Sequence, residues 1–197
     1  MRKKLKKLFV VLLMICSFLV VNGHHALAAT DPYLTGYKWN KTNITYYINP
    51  TPTSSEDALD MPLFKEQVNF VVWLWNLYLR DYGAGIQISE ATSESSADIV
   101  IRFGNSGAGT AARVVITQSS GSEYRKLNMI IKDYVYKDYS ADRQQEILKH
   151  EFGHVLGLKD IDESDGIYSI MVNNLASPYH ATYPTYEFDR VNLLKMY

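Results

Sequence analysis

The chain has 197 residues, 20 of them basic and 21 acidic, for a formal charge of −1. Five basic residues and no acid fall within the first 28 positions, so the remainder carries about −6, which excludes a surface built for nucleic acid or an anionic membrane. Cys16 is the only cysteine, so no disulfide framework is available, and positions 29–197 suffice for one domain with its own core.

Arg2, Lys3, Lys4, Lys6 and Lys7 open the chain. Leu8 to Val21 is apolar except for Ser17, and Ala26-Leu27-Ala28 is a small-x-small sequence. This is the three-part pattern of a secretory signal peptide, expected over residues 1–28. The other reading is a membrane anchor, but the apolar run of about 14 residues is short of the roughly 20 that span a bilayer. Ile15 before Cys16 is too large for a lipidation signal. The expected product is a secreted monomer without membrane contact after signal removal.

Ile44-Thr45-Tyr46-Tyr47-Ile48, after Trp39 and before Asn49-Pro50, reads as a strand. Asp60 is placed to cap a helix starting near Pro62 and running from Leu63 to Arg80. Phe64, Val68, Val71, Trp75 and Leu79 recur every three or four residues along it. Further apolar residues, Trp73 and Leu77 among them, make it apolar on most sides, as in a well-covered or central helix. Strands are expected at Ile86 to Ser89, Ala97 to Phe103, Ala112 to Thr117 and Leu127 to Lys132. Ser140 caps a second helix through Leu156, stopped by Gly157. Ile161 to Asn174 shows no period, and Tyr186 to Met196 reads as a last helix. The order predicts an α+β domain with a twisted mixed sheet, two long helices and a C-terminal helix.

Beyond position 28 only His150, His154 and His180 remain as histidines. His150 and His154 are four apart on the second helix, so both imidazoles leave one face, as two ligands of one Zn²⁺ require. Glu151 between them is placed to act as a general base rather than as a third ligand. The five-residue pattern His-Glu-x-x-His also occurs by accident on charged helices. Gly157 lets the chain turn after the helix and bring Asp160 back as third ligand. An ordinary loop acid is the bland reading of Asp160, since Asp162, Glu163 and Asp165 are close by, and His180 is the competing third ligand. Those acids leave Ca²⁺ undecided, because they lack EF-hand spacing. Met171 follows His154 by 17 residues.

His150-Glu151-x-x-His154-x-x-Gly157-x-x-Asp160 followed by Met171 resembles the metzincin zinc peptidases, in which a methionine turn lies beneath the metal. The chain is most similar to bacterial relatives of the matrixins. Trp39 with Ile44-Thr45-Tyr46 resembles their first strand, and Ala97 to Phe103 their A-D-I-x-I-x-F strand. Asp at the third-ligand position is also similar to snapalysins. The resemblance implies a metallopeptidase catalytic domain over 29–197, with one catalytic zinc on His150, His154 and Asp160, and Glu151 as base. It implies hydrolysis of extracellular proteins or peptides, with an active cleft between a larger part and a smaller part after Gly157. Three features depart from the family. There is no cysteine switch, too few histidines exist for a second zinc site, and Asn173 stands where astacins and serralysins carry Tyr. Tyr179, Tyr183 and Tyr186 are possible stand-ins, or pack against the last helix or a substrate pocket. Two alternatives stay open: a secreted, zinc-stabilised binding module closed by a fourth ligand such as His180, and a zinc amidase acting on cell-wall peptides.

Overall fold

The computed structural model describes residues 31–51, 59–107, 110–174, 176–184 and 188–197. The expected signal segment and Tyr186 lie outside them. Five strands form one mixed sheet: β1 (Asn43–Ile48), β2 (Gln87–Glu90), β3 (Ile99–Phe103), β4 (Ala112–Ser120) and β5 (Glu123–Ile131). Their spatial order is β2-β1-β3-β5-β4. The first four in that order run parallel, and β4 is antiparallel to β5 at the edge. Central β3 reads Ile-Val-Ile-Arg-Phe and is buried on both faces except at Arg102, as a parallel strand covered on both sides must be. The β4–β5 hairpin is longer than the sequence pattern suggests. Its tip, Ser119 to Ser122, is polar and lacks a strand signal, but Gly121 at φ +58° closes the turn and lets the ladder continue to Glu123.

The long helix α1 (Met61–Tyr82) starts as its sequence indicates, with the Asp60 carboxylate accepting from the Leu63 N–H at 3.1 Å. It ends on Gly83 at φ +74°. Phe64, Val68, Val71, Trp75 and Leu79 are all buried. The expectation of a helix covered on most sides is corrected here. Leu63, Phe70 and Trp73 are exposed, Trp73 to 58% of its surface, because no element packs over that face among the described residues.

A short helix α2 (Asp133–Tyr136), without a sequence signal, links β5 to α3 (Ala141–Val155). Ser140 caps α3 by accepting from the Arg143 N–H. The last helix, α4, covers Asp189–Met196. No helix among the described residues is long and apolar enough to cross a membrane. Two buried indoles fix α3: Trp75 Nε1 donates to the Lys149 carbonyl at 3.1 Å, and Trp39 Nε1 to the Val155 carbonyl at 2.9 Å. The second bond satisfies one of the carbonyls a helix end leaves open.

Candidate metal centre

Helix α3 delivers His150 and His154 one turn apart, with their rings in edge contact at 4.7 Å. The helix then stops in a Schellman turn. Gly157 N–H donates to the His154 carbonyl at 2.9 Å and Leu158 N–H to the Gly153 carbonyl at 3.0 Å. Gly157 has φ +94°, and a Cβ there would collide with Met196 and lie 2.7 Å from the Tyr37 carbonyl. Glycine is therefore required by both conformation and space.

The segment beyond the turn is held from two sides. Leu34 bridges Leu158, Thr35 N–H donates to the Gly157 carbonyl at 2.9 Å, and Lys159 N–H donates to the Tyr33 carbonyl at 2.9 Å. On the other side Ile161 N–H donates to the Met171 carbonyl at 2.8 Å. Asp160 is thereby directed back at the helix. Its Oδ1 lies 3.0 Å from His150 Nε2 and 3.3 Å from His154 Nε2. Among the described residues, His150, His154 and Asp160 form a group that could hold a metal ion, with donor atoms all within 4.8 Å of one another.

The other ring nitrogens settle what the donor set offers. His150 Nδ1 lies 3.0 Å from the Ile170 carbonyl, and His154 Nδ1 lies 2.9 Å from the Leu158 carbonyl. A carbonyl only accepts, so both Nδ1 atoms carry hydrogen, and in the neutral rings the Nε2 lone pairs face Asp160. That is the outer-shell arrangement of metal-binding imidazoles. Tetrahedral zinc with bonds of about 2.0–2.2 Å separates its ligands by roughly 3.3–3.6 Å, close to the two contacts seen. The residues present fit such an ion.

Without an ion the triad behaves as an ion-paired cluster. Burial opposes protonation of His154, but the Asp160 hydrogen bond and the charges of Glu151 and Asp160, with the Leu158 carbonyl, raise it to about 9. Burial also pushes Asp160 upward, yet the two histidine hydrogen bonds and charges hold it well below the ordinary carboxylate range. Glu151 is 5% exposed, and its buried Oε2 has no hydrogen-bond partner among the described residues. Burial raises its pKa against the pull of His154 and His150. A buried carboxyl group with an open oxygen and a shifted pKa beside two imidazoles is an arrangement that clusters at functional sites.

Met171 is fully buried, and a Cβ on Gly153 would collide with its Sδ, so the methionine packs directly against the histidine turn of α3. Two features of this turn carry no signal in the sequence. The fully buried Asp189 of α4 accepts from the Ser169 hydroxyl at 2.5 Å and from the Ile170 N–H at 3.5 Å. The Ser169 oxygen in turn accepts from the Met171 N–H at 2.9 Å. Asp189 thus holds the turn whose Ile170 carbonyl orients His150. Nothing in the sequence pairs Asp189 with Ser169.

His180 stands outside the ligand group. Its backbone pairs with Ser169, and neither ring nitrogen makes a well-formed hydrogen bond among the described residues. Burial lowers its pKa, as do the charges of His150 and Arg143, against Glu146 and the Val172 backbone. Of the loop acids, Asp162 accepts from the Ser164 N–H at 2.9 Å and Glu163 from the Asn174 amide at 2.9 Å. Tyr179 and Tyr183 are exposed, and the Tyr183 ring lies 4.3 Å from the Lys149 ammonium rather than against α4.

No family model matches this chain, and no curated protein matches it in sequence.

Proposed function

We propose that the protein is a secreted, zinc-dependent endopeptidase of metzincin type acting on extracellular proteins or peptides. The observation that carries the reading is the convergence of the His150, His154 and Asp160 donor atoms, with both Nδ1–H groups tied to backbone carbonyls. Glu151, buried beside them with an open carboxylate oxygen, adds the general base. Met171 seated under α3 and a five-stranded mixed sheet with one antiparallel edge strand agree with the resemblance drawn from the motif.

In this reading His150, His154 and Asp160 hold the ion. When bound, zinc polarises a carbonyl and acidifies the attacking water. Glu151 accepts the water proton at its open carboxylate oxygen and delivers it to the leaving amine. The Ile170 and Leu158 carbonyls keep the two rings in one tautomer throughout. The basic-apolar-small pattern of residues 1–28 supports export.

The test is Glu151→Gln, which keeps side-chain size while removing the proton acceptor. Zinc content should stay near one equivalent while peptide cleavage falls by about 10²–10⁴-fold. Full peptidase activity in the variant would overturn the reading. Wild-type protein that binds zinc tightly yet cuts neither casein, a peptide library nor peptidoglycan would turn it to a zinc-stabilised binding module.

A further inference from the structure

The exposed face of α1 borders a groove of about 570 Å³ that runs between the helix and the edge strand β2. Trp73 lines it, and its apolar walls include Leu77 and Ile86. Phe70 extends the aromatic platform, its ring 5.9 Å from that of Trp73 and tilted by 31°. Polar groups stand around this platform. No described residue takes up the side chains of Thr42 or Gln87, which both line the groove and are exposed. Arg80 gives Nε and Nη2 to Asp81, at 3.1 and 3.0 Å, and keeps Nη1 without a partner among the described residues.

The base of the groove is rigid. The Asn76 amide accepts from the Ile88 N–H and donates to the Ile88 carbonyl, both at 2.7 Å, locking α1 to β2. Gly83 and Gly85 line the groove, and no atom lies within 4 Å of a Cβ built on either, so a ligand can approach the backbone there. None of the residues lining the groove belongs to the His150, His154 and Asp160 group, so the two sites share no side chain.

The chemistry of the lining selects among ligands. An anion is not favoured, because Arg80 is the one charged residue of the lining and it is paired with Asp81. A purely apolar peptide face would strip water from the Gln87, Thr42 and Arg80 groups and leave them unpaired, at a cost. A neutral sugar ring satisfies both demands: its C–H face covers the indole while its hydroxyls reach the amide, the hydroxyl and the guanidinium. The volume is within the range of ligand sites and exceeds a single ring. We infer that this groove is a binding site for an uncharged oligosaccharide of the extracellular surroundings. It anchors the protein to glycan independently of the metal centre.

The chain contains three tryptophans, and Trp39 and Trp75 are buried, so a ligand-induced change in fluorescence reports on Trp73. The experiment titrates the full chain with N-acetylglucosamine oligomers in one arm and glucose oligomers in the other. A saturable spectral shift at millimolar or lower concentration is expected in at least one arm, and the arm that responds distinguishes cell-wall-type glycan from neutral polysaccharide. Isothermal titration calorimetry, which needs no tryptophan, should show Trp73→Ala losing about tenfold or more in affinity. Gln87→Ala should weaken binding severalfold. Thermal unfolding of both variants should match the parent, since both side chains are exposed. The proposal is overturned if neither series binds, if Trp73→Ala binds as the parent does, or if an amphipathic peptide occupies the groove where sugars do not.

Discussion

Replacing Asp189 by Asn tests whether the last helix holds the candidate metal centre from behind. Asp189 is fully buried and accepts from Ser169 Oγ at 2.5 Å and more weakly from the Ile170 N–H at 3.5 Å. A hydrogen bond to a charged acceptor contributes about 1.5–3 kcal/mol, and the short Ser169 bond dominates here. Asn keeps one carbonyl oxygen for Ser169 but sets an amide donor against the Ile170 N–H. A loss of about 2 kcal/mol is therefore expected, which is a Tm drop of roughly 4–8 °C for a domain of this size. The effect should also reach the metal, because Ile170 supplies the carbonyl that orients His150. Loss of an outer-shell partner costs about 10–100-fold in metal affinity, and one link further away the lower end applies. The assay is zinc competition with a chromophoric chelator, beside thermal unfolding of the zinc-free protein. If Tm falls as expected while zinc affinity is unchanged, the tether from α4 to His150 does not exist.

Three further outcomes follow from the same geometry. Asp160→Asn should release zinc far more readily than His180→Ala, since Asp160 contacts both imidazoles of the group and His180 lies outside it; the opposite order in a competition titration would reassign the proposed third ligand. In the zinc-free protein His154 is raised to about 9, so its stabilising contribution is complete below its unfolded pKa of about 6.5 and disappears as pH rises through 9. Asp160 is depressed, so its contribution is complete above about pH 3.9 and fades as pH falls through its folded value. Glu151, raised by burial, loses stability in the same alkaline direction as it ionises. Tm of the chelated protein should then decline between about pH 6.5 and 9 while zinc affinity rises, because protons and zinc compete for the same nitrogens; a flat profile would contradict the pairing. Gly157→Ala should destabilise by about 2–4 kcal/mol, combining a positive φ with contact against Met196 and the Tyr37 carbonyl; urea unfolding with an unchanged midpoint would show that the turn relaxes freely.

Periodicity and end signals alone placed both long helices within a few residues. Asp60 and Gly83 bound α1, and Ser140 and Gly157 bound α3, because caps and breakers act through their immediate neighbours. Four strands carry a legible apolar, β-branched or aromatic run and β2 an alternation of polarity, though the tip of the β4–β5 hairpin carries neither, since cross-strand pairing rather than composition extends it. Four-residue spacing on a helix likewise made His150 and His154 neighbours before any tertiary contact is considered. Asp160 is an intermediate case: the sequence supplies a glycine that permits a turn, but its direction depends on Tyr33, Leu34 and Met171, which hold the returning segment from both sides. The Ile170 and Leu158 carbonyls on the imidazoles, and Asp189 behind Ser169, were illegible because backbone acceptors leave no trace in residue type and Asp189 is 20 positions from its partner. The exposure of Trp73 was decided at the same level. A helix apolar on most sides appears covered in sequence, and only the packing of the other elements shows which face they leave open.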